Sequence, residues 1–475
     1  MIWILLALLV FIFQIGTILI LEFRKPSKTV AWLLILFILP IVGFIMYYFL
    51  AQEYRHRKTV RKRNVVAEEM RLQALRRCKM VHRPTELGIG EFSHQERLFR
   101  LLSGMSTSPI TGCNQTEVLT NGEATYASIL EAIEGAKHHI HVEYYTIRND
   151  GIGNKLKDAL IRKAKQGVEV RVIYDGVGSL ELHGGYIRDL REAGIHTQCF
   201  LAPRLALFDK RINYRDHRKI VVVDGRIGFV GGINIGDEYL GGNPKLGFWR
   251  DTHLRIEGDA VYFLQDVFLK DWWFTAKERL SDPAYLPEHN CVGDEQVQII
   301  SSGPDSLADA ILECVFAAVS VAKRRIWITT PYFIPDASIL MALRTAALSG
   351  VDVRLIIPFV ADSKLVLRAS LSYVEDLLAV GVRIYRYRKG FVHAKVLIVD
   401  EMMASVGTAN MDMRSFFSNF ELNALLFSQK AIKRLEGDFL DDLRACEELS
   451  LSVFERRPRM AKAGEVLARM LSPLL

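Results

Sequence analysis

One repetition governs what this chain can fold into. His217-x-Lys219-x4-Asp224, continuing to Gly231-Gly232-Ile233-Asn234, returns as His393-x-Lys395-x4-Asp400, continuing to Gly407-Thr408-Ala409-Asn410. Both copies place Lys, Asp and Asn two, seven and seventeen residues after the histidine. A single His-x-Lys is noise, whereas two with identical spacing mark a duplicated unit. The flanking pattern doubles as well. A β-rich run from Ile140 to Tyr145, a helical stretch from Leu156 to Lys165 and a strand from Gly167 to Tyr174 are matched later in the chain. Their counterparts are Ile326 to Tyr332, Ile339 to Leu348 and Gly350 to Ile357. Strands alternating with helices of this length imply parallel βαβ units in an α/β sandwich. The repeat is too long for a solenoid, so it is a duplicated domain.

The repeated residues carry chemistry. On a strand, side chains at i and i+2 share a face, so each His projects with its Lys. Asp224 and Asp400 have the opposite parity and are expected to brace a strand end or a neighbouring loop. The Gly-x-x-Asn stretches are turns at which backbone and carboxamide approach a ligand closely. Imidazole, ammonium and carboxamide converging on one spot suit a phosphate: a nucleophile or acid, a point charge and a neutral donor.

Apolar residues concentrate at the amino terminus. Ile2 to Leu21 and Val30 to Leu50 are each about 20 residues long, enough for a helix to cross a bilayer core. The short link between them carries Arg24, Lys25 and Lys28, and the pair reads as a transmembrane hairpin. No Lys or Arg precedes the first stretch and no A-x-A site follows it, which argues against a cleaved signal peptide. Arg55, Arg57, Lys58, Arg61, Lys62 and Arg63 follow the second stretch and outnumber the loop's positive charges. The positive-inside rule therefore puts the body in the cytosol. From Ala51 to Arg83, eleven Lys/Arg face three Glu in a chain of net charge +7, so the body beyond this collar is net acidic. Such a collar attracts anionic lipid headgroups, and an acidic body argues against nucleic acid as a partner.

Other features read as structural. Six scattered cysteines (Cys78, Cys113, Cys199, Cys291, Cys314 and Cys446) form no C-x-x-C pair and read as free thiols of a reducing compartment. His138, His139 and His141 lack an evident third metal ligand and read as packing, and no metal or cofactor is expected. Trp272, Trp273 and Phe274 read as a core stripe more readily than as a membrane-insertion edge. The tail from Arg456 to Leu475 reads either as an interfacial amphipathic helix or as packing on the body.

The paired motif resembles the phospholipase D superfamily. With the hairpin, the collar and Ser472-Pro-Leu-Leu475, the whole chain is similar to bacterial cardiolipin synthases. The resemblance implies two phospholipase D-like α/β sandwich halves packed face to face. Residues 111–285 and 286–475 would form the halves, after a hairpin at 1–50 and a basic linker at 51–110. It also implies phosphatidylglycerol and cardiolipin as lipid partners, and a body on the inner membrane. One histidine would form a phosphatidyl-histidine and the other serve as acid and base. Superfamily analogy favours His217 as nucleophile and His393 as acid/base, and the near-symmetry permits the reverse. Lys219, Lys395, Asn234 and Asn410 would hold the phosphate oxygens. An acidic residue roughly 25 to 35 positions downstream would orient each ring. These are Asp251, thirty-four after His217, and Glu421, twenty-eight after His393. The second copy carries Thr408 where the first has Gly232, so the first copy holds the phosphate with one contact fewer or leaves room for a bulkier headgroup. A hydrolase with the same site is the alternative, a nuclease less so. Water and a lipid alcohol compete for one intermediate, and no single residue decides between them.

Overall fold

Each half begins with a long edge strand, Thr111–Thr120 in the first and Glu295–Ser302 in the second. In this computed structural model, residues 2–22, 26–50, 68–90, 92–105, 108–182, 184–202, 214–306 and 308–472 are described. Positively charged residues 55–63 of the collar and residues 473–475 of the tail lie outside them.

The duplication is visible strand by strand. From its edge, the first half runs Thr111–Thr120, Thr252–Gly258, Ile227–Gly231, Lys219–Val223, His139–Tyr144, Glu169–Asp175, His196–Phe200. The second runs Glu295–Ser302, Asn419–Leu426, Met403–Gly407, Val396–Val399, Arg325–Thr329, Asp352–Pro358, Arg383–Tyr387. The outer strands are parallel and joined by helices, as the alternation implied. The motif strand of each half runs antiparallel to its neighbours, so each sheet is mixed. The crossover helices Gly151–Lys165 and Ala337–Leu348 are N-capped by Asp150 and Asp336. Both end near a glycine at positive φ, Gly167 and Gly350.

The halves are not separate sandwiches laid together. Their edge strands pair antiparallel, Thr111 with Val297 and Asn114 with Glu295, so one sheet runs through both. A shared core including Val222, Val230 and Leu254 from one half and Ile398, Val406 and Leu422 from the other seals the inner faces. The outer faces close over a core of their own in each half.

One cysteine reading is overturned. Cys113 and Cys291 form a disulfide across this seam, with Cα atoms 4.7 Å apart. Residues so distant in sequence show no spacing motif, and only the edge-strand pairing brings them together. Cys78, Cys199, Cys314 and Cys446 are free.

At the amino terminus, Ile2–Glu22 is one helix, and the second apolar stretch forms Pro26–Ile38 and Pro40–Leu50, broken before Pro40. Among the described residues, which omit 23–25 and some of the first helix's side chains, no helix is long and apolar enough to cross a membrane. Trp272 and Phe274, on the helix Val261–Ala276, are buried in the shared core. His139 and His141 share Gln265 as partner, and His141 stacks on Phe268.

Candidate active site

The catalytic motifs meet because short strands cross between the halves. Arg215–Asp216, just before His217, pairs with Asn419 and Phe420 of the other half, just before Glu421. Phe248–Arg250, just before Asp251, pairs with Gly390–Val392, just before His393. The His217 N–H donates to the Phe420 carbonyl at 2.9 Å and that of His393 to the Arg250 carbonyl at 2.7 Å. In each pair, the residue after the histidine's strand faces the residue after the carboxylate's strand.

The orienting carboxylates are therefore exchanged relative to the sequence expectation. His217 Nδ1 donates to Glu421 at 3.0 Å and His393 Nδ1 donates to Asp251 at 2.8 Å. Both carboxylates are fully buried. Proximity along the chain suggested partners within one half, and pairing between strands of different halves decides otherwise. A proton on each Nδ1 leaves Nε2 with its lone pair.

Thr408 and Gly232 lie against these carboxylates. The Thr408 hydroxyl is buried, donates to Glu421 and accepts from the Leu422 N–H. At Gly232 a Cβ would fall 2.1 Å from Asp251 Oδ1, so glycine is the residue that lets Asp251 reach its place.

Asp224 and Asp400 lie away from the rings. Asp224 accepts from the backbone N–H groups of Lys137, His138 and His139, and Asp400 from those of Lys323, Arg324 and Arg325. Both have positive φ, +53° and +51°, in the turn that ends the motif strand. These backbone contacts are those of a residue that braces the strand end.

The lysines reach back over their own histidines. Lys219 Nζ donates to the His217 carbonyl at 2.7 Å, and Lys395 Nζ donates to that of His393 while lying 3.1 Å from its Nε2. Asn234 accepts from the Thr146 N–H and donates to the Tyr239 hydroxyl. Asn410 donates to Asp412 at 3.1 Å, and its buried side-chain carbonyl oxygen has no partner among the described residues.

His217, His393, Asn234 and Asn410 line one cavity of about 520 Å³ between the halves. That is within the usual range for a small-molecule site. Burial sets its electrostatics. It pushes His217 down to about 4, with Glu421 opposing and both lysines assisting. It pushes His393 down to about 3, with Lys395 assisting and Asp251 opposing. It lowers Lys219 to about 7 against Glu421, and Lys395 to about 8 against Asp251 and Glu421. Burial alone would raise the two carboxylates. Lys395 and His393 nevertheless hold Asp251 below its ordinary value, and His217 and Lys219 do the same for Glu421. At neutral pH both rings are neutral. An arriving anion favours their charged forms and raises both.

Several cavity residues escaped the motif reading. Tyr145 packs on the His217 ring at 5.0 Å and Trp249 on that of His393 at 5.3 Å. Tyr332 donates to Asp362 at the cavity wall. Arg218, ion-paired to Asp271, donates to the Glu421 carbonyl at 3.4 Å and steadies that carboxylate's strand. Arg215 and Arg414 also line the cavity. Arg215, Arg218 and Arg414 sit at fixed offsets from the repeated motif, where the other copy has Phe391, Ala394 and Glu238, so matching the repeats discards them. Among the described residues, no three metal-binding side chains converge.

Comparison with known proteins agrees with this architecture. A family model described as "Cardiolipin synthase, PLD-like domain" matches residues 129–272 and 315–443, and one described as "Phospholipase_D-nuclease N-terminal" matches 1–52. The chain is 47% identical over 466 residues to a cardiolipin synthase of Geobacillus kaustophilus, covering 97% of this chain and 91% of that one. To the major cardiolipin synthase of Bacillus subtilis it is 42% identical over 463 residues, covering 96% and 95%. Among solved structures, the phosphatidylserine synthase of Haemophilus influenzae superposes with a TM-score of 0.60 at 16% identity. It covers 80% of this chain and all of that one, and shows the shared fold. The chain belongs to the cardiolipin synthase family of phospholipase D-like proteins.

Proposed function

We propose that the protein is a cardiolipin synthase that transfers a phosphatidyl group from one phosphatidylglycerol to another, releasing glycerol. The observation that carries this reading is two imidazoles, each backed by a buried carboxylate, in a single cavity. The Nε2 lone pair of one ring attacks phosphorus. The N–P bond forms, the P–O bond to glycerol breaks, and the departing oxygen takes a proton from the other ring. That ring takes its proton from solvent as the phosphodiester anion enters beside it and raises its affinity for the proton. The hydroxyl of a second phosphatidylglycerol then returns a proton to the same ring. Its oxygen bonds phosphorus and the N–P bond breaks, which gives cardiolipin, frees the nucleophilic imidazole and leaves the other ring as the imidazolium with which the first step began. His217 is assigned as nucleophile by superfamily analogy. The lysine ammoniums and asparagine amides stabilise the charge on the equatorial oxygens. The orphaned Asn410 carbonyl suits a glycerol hydroxyl.

The amino-terminal helices are proposed as a membrane hairpin: 21 residues at about 1.5 Å each span about 30 Å. Positive charges after the second helix favour a cytosolic body, whereas a disulfide is a feature of oxidising compartments. Protease treatment of intact spheroplasts reads the side directly. The charges call for protection until lysis, and digestion of intact spheroplasts overturns that placement.

Vesicles of phosphatidylglycerol test the function. Cardiolipin and free glycerol in equal amounts are expected, with no loss on adding EDTA. Phosphatidic acid as the main product at high lipid density supports the hydrolase instead. His217→Ala and His393→Ala are each expected to abolish turnover.

A further inference from the structure

A buried group of acids lies behind His217, outside the chemistry described above. Glu143 stands on the strand His139–Tyr144, opposite Ile220 of the motif strand and Ile173 of the next. Asp216 precedes His217 on the cross-strand Arg215–Asp216, and Asp271 comes from the helix Val261–Ala276. All three are closed to solvent. Arg218 pairs with Asp271 and also acts on Glu143 and Asp216. His141 shares the strand face of Glu143 and, held well below its ordinary value by burial, is neutral. Beyond Asp216, Asp175 accepts the Asp216 N–H at 3.0 Å and is opposed by Arg215.

Hydrogen bonding shows where a proton belongs. Among the described residues, no donor reaches either oxygen of Glu143 or Oδ2 of Asp216. These two side chains nevertheless meet. Two carboxylates only accept and cannot bond each other, whereas a carboxylic acid and a carboxylate can. Burial raises both carboxyls, Asp216 adding to the effect on Glu143 and Asp271 to that on Asp216. Keeping every acid of this dry group ionised would cost more than binding one proton.

The other half builds the same place without charge. Thr329 stands opposite Val396 as Glu143 stands opposite Ile220, each of those partners three residues after its histidine. Val392 and Ala394 replace Asp216 and Arg218. The strand layout therefore forms without these groups, and only the His217 side rests on them. Asp216 is half of the cross-strand that hands the His217 N–H to the Phe420 carbonyl, and Arg218 donates to the carbonyl of Glu421. We propose that Glu143 is a positioning residue for His217: as a carboxylic acid it donates to Asp216 and pins the cross-strand that sets the imidazole on Glu421. The proposal rests on His217 as a reacting group, whichever alcohol accepts.

The full-length protein in detergent is compared with Glu143→Gln, whose amide can still donate, and with Glu143→Ala. In infrared difference spectra at neutral pH, the parent should show a carboxylic-acid C=O band that Glu143→Gln lacks. Nitrogen-15 signals of His217 should stay in place in Glu143→Gln and move in Glu143→Ala, with those of His393 nearly unmoved in both. Turnover is scored as consumption of phosphatidylglycerol, which counts transfer and hydrolysis alike. It should keep its kcat within a few-fold in Glu143→Gln and lose about ten- to a hundredfold in Glu143→Ala, with KM little changed. Should the Ala variant not fold, the infrared band decides. No acid band lost on substitution, a Gln variant as slow as the Ala variant, an Ala variant as fast as the parent, or equal movement of both histidines overturns the positioning role. A parent that consumes no phosphatidylglycerol overturns the catalytic reading instead, and the two spectra still decide the bond.

Discussion

A carboxylate behind each imidazole fixes which nitrogen carries the proton, and the exchange of carboxylates between halves makes that dependence specific. Glu421→Gln should disable His217, and Asp251→Asn should disable His393. Each is expected to lower kcat by about 10²- to 10⁴-fold while the fold persists. Nitrogen-15 NMR of the rings checks the pairing: Glu421→Gln should move the His217 signals and leave those of His393 nearly in place. Gly232→Ala should act through His393, because its methyl occupies the space of Asp251. A displacement near 1 Å costs about 10²-fold in rate, and Thr408→Gly should be milder because Glu421 keeps its bond to His217.

The same residues set the pH response. Both histidines titrate well below their ordinary value in the free protein, at about 4 and 3. Protonation disables a ring that must start neutral, so kcat/KM should hold down to about pH 5 and fall below it. Lys219, lowered to about 7, loses its charge as pH rises and should set the alkaline limb. An acid limb near 6.5 would mean that the rings are solvated. Stability follows the same sign. A histidine whose folded pKa is depressed favours the folded state above its unfolded pKa of about 6.5, and that contribution is lost as pH falls towards 4.

Among the elements, the two short cross-strands decide the site. The duplicated motif, the crossover helices and the bracing aspartates were legible because each is written in local spacing: a period of two, a period of 3.6, a turn. The partners of His217 and His393 were not. They depend on Arg215–Asp216 and Gly390–Val392 pairing with strands from the other half, and two- or three-residue strands leave no periodicity to read. Arg215 and Arg414 were hidden for the opposite reason, since a search for repetition sees only what the copies share. Asp400→Ala tests the bracing role at this scale. Loss of three buried backbone contacts should lower stability by about 2–4 kcal/mol, measured by denaturant unfolding. The folded fraction should keep its specific activity within a few-fold. Abolished activity in fully folded protein would place Asp400 in the chemistry.

Across the whole molecule, one sheet and one core bind the halves, so neither half carries a complete site. The seam is closed by pairing of the two edge strands and by Cys113–Cys291, residues 178 apart in sequence. No count of cysteines or search for C-x-x-C could find that bond, because only the edge pairing brings them together. Closing so long a loop is worth about 3–5 kcal/mol, and Cys113→Ala with Cys291→Ala should lose about that much in oxidising buffer. An identical unfolding curve would show the bond to be absent there. The tail helix Arg459–Met470 packs on Lys364–Leu371, while Met460, Val466 and Leu467 stay exposed. Replacing these three by serine should weaken vesicle binding if the helix lies on lipid, and leave it unchanged if the helix only packs.

The account turns on two imidazoles sharing one phosphorus. A structure of the full-length protein with orthovanadate tests it most directly, because vanadate adopts the five-coordinate geometry of phosphoryl transfer. A single vanadate is expected, bonded to Nε2 of one histidine with an apical oxygen in hydrogen-bond reach of Nε2 of the other. Two vanadates, one for each half and each touching one ring, would contradict it.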